Sequence, residues 1–325
     1  MCRTIEEKVL NGIQLSNDEI YSLAKIEDNL IALISIVDKI RRKFKGRKIK
    51  TCSIINAKSG MCDQDCAFCG QSSYHKTKIS KYPLLDTETI VKSAMDAAHN
   101  GATEFSIVTS GKGIKSREEI RKIKNAIKRI KSETSLECCA SLGVLNKDFL
   151  RELKDAGLDR YHHNLEACPS FFSRICTTRL YRENTDTIRA AKEAGLITCC
   201  GGIFGMGESP EQRIELALTL RELDPDSISI NFLNPVKNTK LENMSLLKLF
   251  EALKIIAIFR IIFPTKDIII CGGREVVLHS LQPMMFLAGA NGMILGNYLT
   301  TKGRSVQDDL DMIKDLSLYM VNDNE

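Results

Sequence analysis

The 325-residue chain has no apolar run long enough to cross a bilayer; the runs near 255–263 are too short and carry Arg260. Its opening residues, Met1 to Glu7, hold no long apolar stretch of the secretory kind. No membrane association is therefore expected, and a cytoplasmic location is. There is also no basic patch interleaved with aromatics. Lysine and arginine number 46 against 41 aspartates and glutamates, and the small excess spreads over helical faces such as Arg121-Lys122-Ile123-Lys124. Nucleic acid is thus not an expected partner, whereas small anionic ligands suit such a balance. The chain lacks a Walker loop, a G-x-G-x-x-G following a strand and any low-complexity segment, so the common nucleotide-loop signatures are absent.

Cysteine, by contrast, is abundant, with twelve residues. In a chain expected to be cytoplasmic, that number points to metal or catalysis rather than to disulfides. Three of them stand together in Cys62-Asp63-Gln64-Asp65-Cys66-Ala67-Phe68-Cys69, with a glycine on either side. Thiolates prefer soft metals, chiefly zinc and iron–sulfur clusters. A structural zinc site normally closes with a second Cys/His pair, and none follows at zinc spacing. Three thiolates on a cubane cluster leave one iron open for a substrate or cofactor. That arrangement resembles the radical S-adenosylmethionine (SAM) superfamily, in which an aromatic such as Phe68 usually precedes the last cysteine.

Apolar periodicity divides the chain into 1–45, an N-terminal helical extension, 46–315, a catalytic domain, and 316–325, a polar tail. Ser16-Asn17-Asp18-Glu19 is a helix-capping start, and Ile26, Leu30, Leu33, Ile36 and Val37 recur at helical spacing. From Lys50 short β-branched runs alternate with amphipathic helices. The strands are expected at 51–56, 104–109, 136–141, 160–166, 197–203, 227–232, 267–271 and 292–295. Helices fit between them, for example at 87–100, 117–132, 146–156, 185–194, 211–223 and 246–262. Ala156-Gly157 and Ala194-Gly195 read as helix C-caps ahead of strands. Eight such units give an α/β fold, a (β/α)8 TIM-type barrel with its chemistry at the C-terminal strand ends. A doubly wound sheet is the alternative, since periodicity does not show closure.

Further segments carry a closer resemblance. Cys66-Ala67-Phe68-Cys69-Gly70-Gln71-Ser72-Ser73, Tyr161-His162-His163-Asn164-Leu165-Glu166, Thr177-Thr178-Arg179-Leu180-Tyr181, Gly201-Gly202-Ile203-Phe204-Gly205-Met206-Gly207-Glu208, Gly272-Gly273-Arg274-Glu275 and Leu287-Ala288-Gly289-Ala290-Asn291 together resemble biotin synthase. The resemblance implies insertion of sulfur into dethiobiotin to form biotin. It also implies a [4Fe-4S] cluster, SAM, an auxiliary Fe-S cluster ([2Fe-2S] in the family), a flavodoxin- or ferredoxin-like electron donor and a cytoplasmic homodimer. A related radical SAM enzyme of maturase or rearrangement type, or a non-catalytic iron–sulfur carrier, are the competing readings.

Carried over residue by residue, Cys62, Cys66 and Cys69 are ligands of the SAM cluster. Phe68, Asn164, Glu166, Arg179 and Ile203 are implied to bind SAM, with the small residues of Gly201-Gly202 admitting its adenine to the backbone. Asn231, Thr300 and Thr301 are implied to hold dethiobiotin, although Thr300-Thr301 reads equally as a helix-capping pair. For the auxiliary cluster, Cys139, Cys199 and Arg274 fill family positions, but Ser106 stands where cysteine is expected. Cys138, Cys200 and Cys271 lie beside the usual ligands, and Cys271 is the alternative source of the missing sulfur. His162 replaces the family's common asparagine. Cys2, Cys52, Cys168 and Cys176 read as ordinary buried or loop thiols.

Overall fold

The computed structural model describes residues 2–25, 30–114 and 116–321. Ile26 and the side chain of Cys2 lie outside the described residues, as does 322–325 at the end of the expected tail. Three helices open the chain: α1 (Cys2–Leu10), α2 (Asn17–Ala24) and α3 (Leu30–Lys45). The start of α2 is a reciprocal capping box. Ser16 Oγ accepts from the Glu19 N–H at 3.2 Å, and a Glu19 carboxylate oxygen accepts from the Ser16 N–H at 3.0 Å.

Eight parallel strands follow: β1 (Lys48–Lys58), β2 (Glu104–Thr109), β3 (Glu137–Ser141), β4 (Arg160–His162), β5 (Ile197–Phe204), β6 (Ser227–Phe232), β7 (Asp267–Ile270) and β8 (Gly292–Ile294). Each pairs with the next, and β1 pairs with both β2 and β8, so the sheet closes. Closure selects the barrel over the doubly wound sheet. Between the strands lie α4 (Thr87–His99), α5 (Arg117–Glu133), α6 (Lys147–Asp155), α7 (Pro169–Ile175), α8 (Tyr181–Glu193), α9 (Pro210–Leu223) and α10 (Leu249–Ile262). The short helices α11 (Arg274–Leu278) and α12 (Met284–Leu287) follow β7, and α13 (Val306–Asp315) follows β8. After α13 the segment read as a polar tail forms a short strand, β9 (Tyr319–Met320), beside the start of β1.

Ala156 and Ala194 cap α6 and α8, and the following Gly157 and Gly195 turn the chain at φ 105° and 77°. The apolar run that is too short for a membrane becomes α10, buried on nearly every side between the barrel and α3. The one charge within the 255–263 run, Arg260, is fully buried but saturated. It donates to the carbonyls of Gly289, Phe263, Pro264 and Lys266 and to Asn291 Oδ1. A buried guanidinium needs such acceptors, and the Phe263 carbonyl lies just past the end of its own helix.

Residues paired across a parallel ladder share a face of the sheet. On the outer face Phe105, Ile107, Ala140, Tyr161, Ile228, Ile230, Ile268 and Ile270 are buried against the helices. The inner face carries many polar groups among its branched apolar residues Ile54, Val108, Ile269 and Ile294, unlike the largely apolar filling usual in such barrels. Its lower layer is an ion network. The Lys50 ammonium lies 3.1 Å from Glu104 and 3.3 Å from Asp267, and the Arg160 guanidinium lies 2.7 Å from Glu137 and 3.3 Å from Glu104. Arg160 also donates to Ser227 Oγ at 2.8 Å. Removing one partner of such a buried network costs about 3–5 kcal/mol, because the rest stays charged and unpaired. This layer floors the lumen with charge and leaves the space above it open.

Candidate active site in the barrel lumen

Above the ion network lies a cavity of about 410 Å³. The cysteine loop after β1 forms one wall. Its backbone is held by its own bonds: Cys62 N–H to Gln71 O at 3.1 Å, Ser73 N–H to Cys62 O at 2.8 Å, and Ser72 Oγ–H to Gln64 O at 2.6 Å. Cys62, Cys66, Phe68 and Cys69 all face the cavity. None of the three thiols is in a disulfide.

Asp65, inside the cysteine loop, ties it to the segment carrying Arg179. Its carboxylate accepts from the Thr177 N–H at 2.8 Å, the Thr177 hydroxyl at 2.6 Å and the Thr178 hydroxyl at 3.1 Å. Burial pushes its pKa up, but these bonds outweigh that and hold the carboxyl well below its ordinary range. The folded pKa therefore lies below the unfolded one. The stability it contributes is complete above the ordinary carboxylate range and is lost as the pH falls below it. Asp65→Ala should lower the stability of the metal-free protein by about 1–3 kcal/mol, since the donors on Thr177 and Thr178 lose a charged acceptor. Urea unfolding measures this; a change below about 0.5 kcal/mol, the scale of an ordinary surface substitution, would show that the tie is not needed.

Across the cavity, β4 ends at His162, earlier than the expected 160–166 strand, although Glu166 still bridges to Gly202. Asn164 and Glu166 both line the cavity, Glu166 with a left-handed φ of 68°. Asn164 Oδ1 accepts from the Ser229 hydroxyl at 2.7 Å. Burial pushes the Glu166 carboxyl up to about 7, against the downward pull of Arg179. Among the cavity's buried polar atoms without a partner among the described residues are Glu166 Oε2 and Arg179 Nε. An acceptor and a donor left open in one pocket fit a ligand carrying both kinds of group, such as an amino acid moiety with a ribose. The guanidinium of Arg179 also lies 5.9 Å from the centre of the Phe172 ring.

Two expectations for the adenine end change. A β-carbon on Gly201 would lie 1.8 Å from Ser229 O, and one on Gly202 would lie 2.7 Å from Glu166 O. The chain's own backbone therefore requires those glycines, rather than a ligand. Ile203 donates its N–H to Glu166 O at 2.9 Å and packs against the apolar core, and it is not among the residues lining the cavity.

At the substrate end Asn231, Thr300 and Thr301 line the same cavity. Asn231 is already engaged by backbone on both sides: its Oδ1 accepts from the Gly272 N–H at 3.0 Å and its Nδ2 donates to Gly202 O at 3.3 Å. The capping alternative for Thr300-Thr301 fails. The cap of α13 is Ser305, whose Oγ accepts from the Asp308 N–H at 3.1 Å.

The Radical SAM superfamily model matches residues 58–220, and the Biotin and Thiamin Synthesis associated domain matches residues 229–319. Among curated relatives, the biotin synthase of Geotalea daltonii is 49% identical over 317 residues, spanning 97% of this chain and 96% of its own. The chain belongs to the biotin synthase family. The biotin synthase of Pelobacter propionicus is 50% identical, with 96% and 95% covered, and that of Carboxydothermus hydrogenoformans is 48% identical, with 97% of each chain covered. In three dimensions the chain is similar to methylornithine synthase, with a TM-score of 0.86, 19% identity, and 98% and 97% covered. The FeFe-hydrogenase maturase HydG of Carboxydothermus hydrogenoformans follows at a TM-score of 0.84 and 19% identity, with 98% and 78% covered. At such identity these two show the barrel fold alone.

Within this biotin synthase barrel, the residues carried over for an auxiliary cluster separate. Cys139 pairs across the ladder with Ser106 and with Arg160, and Cys199 pairs with His162, so all of these face the lumen. Cys138 and Cys200, one residue away, point outward into the apolar core between sheet and helices and reach nothing in the lumen. Arg274 is also displaced. It begins α11 just after β7, so its side chain leaves the strand's inward face, and it is not among the residues lining the cavity. There it pairs with Asp309 at 2.6 Å, donates to Tyr298 Oη at 3.1 Å and bonds Gln282. Every donor direction of Arg274 is in use. Ser106 is fully lumenal, and its hydroxyl has no partner among the described residues. Cys168 packs in the apolar core, as expected. Cys176 is buried there too and stands against Cys66, and hydrogen bonding between the two thiols pushes Cys66 up and Cys176 down. Cys52, read as ordinary, lies on the inner face of β1 and lines the cavity. No motif marks it; only its place in the β1 alternation does.

Proposed function

We propose that this chain inserts sulfur into dethiobiotin to form biotin as a radical SAM enzyme. Membership of the family implies SAM, a [4Fe-4S] cluster and an auxiliary [2Fe-2S] cluster. The carrying observation is that one enclosed lumen unites the three-cysteine loop, the open Glu166 and Arg179 atoms, and a deeper layer of thiols. An iron–sulfur carrier has no use for the middle element, and a radical SAM enzyme without a sulfur source has no use for the last.

When bound, these groups supply an electron for reductive SAM cleavage, an adenosyl radical and a sulfide. Cys62, Cys66 and Cys69 hold the first cluster at the rim. Arg179 pairs with the SAM carboxylate, a task suited to a planar fork of donors. Glu166 and Asn164 orient the ribose side, and Phe68 walls off the loop. Asn231, Thr300 and Thr301 offer dethiobiotin neutral hydrogen-bonding groups, with Asn231 prepositioned by its backbone bonds. The ion network closes the lower end of the lumen, which limits water around a reactive radical. Residues 46–315 form the catalytic unit in this reading, residues 1–45 its helical extension, and 316–325 its tail. The exposed Met61, Tyr74 and Leu180, in and near the cysteine loop, suit a flavodoxin- or ferredoxin-like donor. A homodimer and a cytoplasmic location rest on the family resemblance. Among the described residues no helix is long and apolar enough to cross a membrane.

The test is anaerobic reconstitution with iron and sulfide, followed by SAM, a reductant and dethiobiotin. Biotin is expected in the products by mass spectrometry, together with 5′-deoxyadenosine. Formation of 5′-deoxyadenosine without any biotin from a fully iron-loaded protein would sink this reading in favour of another radical SAM reaction.

A further inference from the structure

Four thiols face the lumen: Cys52 on β1, Cys199 on β5 and Cys271 immediately after β7 line the cavity, and Cys139 on β3 lies on the same inner face beside Ser106 and Arg160. Inward side chains from alternate strands of an eight-stranded barrel come together as one layer. All four are buried, at 5%, 0%, 2% and 8% exposure. None is in a disulfide, and the hydrogen bonds of Cys52, Cys139 and Cys271 are 3.6 Å donations to nearby carbonyls on their own strands.

We infer that Cys52, Cys139, Cys199 and Cys271 form one four-thiolate site for an iron–sulfur cluster, with neither Ser106 nor Arg274 among its ligands. This rests on the reading of the lumen as the place of the auxiliary cluster. A layer of four buried thiols has no structural use for its sulfur, whereas four thiolates are the complete complement of a [2Fe-2S] or a [4Fe-4S] cluster. Arg160, paired with Cys139 across the ladder, places a positive charge beside the layer. The departure from a three-cysteine-plus-arginine set then has a direct reason. Ser106 offers a harder, more basic oxygen, Arg274 is consumed by Asp309, and two further thiols occupy the same layer.

A rival set exists in the same space. The ligand atoms of Cys52, Glu104 and His162 lie within 4.8 Å of one another, and His162 Nε2 is buried without a partner among the described residues. Burial, helped by Arg160, pulls His162 down to about 3, so its imidazole is neutral and able to ligate. Glu104, however, already accepts from Lys50 and Arg160, which counts against its use for a metal.

The experiment uses the full chain with Cys62, Cys66 and Cys69 all replaced by alanine, so that only lumenal iron is counted. After anaerobic reconstitution, iron and sulfide are quantified, and Mössbauer and visible spectra are recorded. This background should retain a cluster of about two to four irons per chain, the range of the two four-thiolate types. Adding Cys52→Ala or Cys271→Ala should lower the retained iron about tenfold or more. Adding Ser106→Ala should leave iron and spectra unchanged. The isosteric Cys52→Ser and Cys271→Ser, with folding checked by circular dichroism, should keep the fold but shift the spectrum through an oxygen ligand. Full iron and an unaltered spectrum in either alanine variant would overturn the four-thiolate set while leaving the proposed reaction standing. So would loss of the cluster in His162→Ala but not in Cys271→Ala, which would assign the rival centre. A background that binds no lumenal cluster at all would overturn both this set and the reading of the lumen on which it rests.

Discussion

Replacing Cys62, Cys66 or Cys69 with alanine is expected to abolish reductive SAM cleavage while leaving the fold intact. The reason is a division of labour within the loop. Its conformation is set by bonds that do not use the thiols: Cys62 N–H to Gln71 O at 3.1 Å, Ala67 N–H to Ile175 O at 2.8 Å, Cys69 N–H to Cys66 O at 3.0 Å, and the Gly60 N–H to Gln71 Oε1 at 3.0 Å. The Asp65 tie to Thr177 and Thr178 is likewise independent of sulfur. The thiols are thus free to serve a cluster, and a cluster with two protein ligands loses the geometry that presents its open iron to SAM. Circular dichroism and the melting temperature should match the unsubstituted protein, while 5′-deoxyadenosine falls to background. If any one variant still formed it at the unsubstituted rate, the assignment of the loop would be wrong.

Cys139→Ala and Cys199→Ala should each uncouple the two halves of the reaction: SAM is still cleaved, and no biotin is made. Both thiols lie on the inner face of the barrel below the cysteine loop, on β3 and β5, and neither touches the hydrogen bonds that hold Arg179 or Glu166. Truncating a buried cysteine removes one sulfur from a layer bounded by polar groups, so the stability cost should be small. The measurement is the ratio of 5′-deoxyadenosine to biotin under single-turnover conditions. Biotin at the unsubstituted yield from either variant would place the sulfur source elsewhere. Loss of both products together would instead make these cysteines structural.

Much of the site was legible because its signals are local. The Cys62–Cys69 spacing marks a cluster loop whatever surrounds it. The Ser16–Glu19 box and the Ala-Gly pairs at 156–157 and 194–195 are caps whose bonds close within one turn. The readings of Gly201-Gly202 and Arg274 were limited for one reason. A glycine pair says only that something comes close, and the close neighbour proved to be the backbone of Ser229 and Glu166. An arginine just past a strand says only that a charge is present, and the turn at Gly273, with φ 85°, sends it toward Asp309.

What the chain determined alone was the alternation of strand and helix, the positions of their caps and the three-cysteine loop, because each depends on residues a few places apart. Barrel closure and the contents of the lumen were decided only by tertiary structure. Cys138-Cys139 and Cys199-Cys200 are chemically identical neighbours, and a side-chain period of two sends one of each pair to the core and the other to the lumen. Which one goes inward depends on the register with the adjoining strands. Cys52 and Cys271 are separated by more than two hundred residues, so neither carries a spacing motif. They come to the same inner face as Cys139 and Cys199 only because an eight-stranded sheet, once closed, turns the inward residues of all its strands toward one lumen.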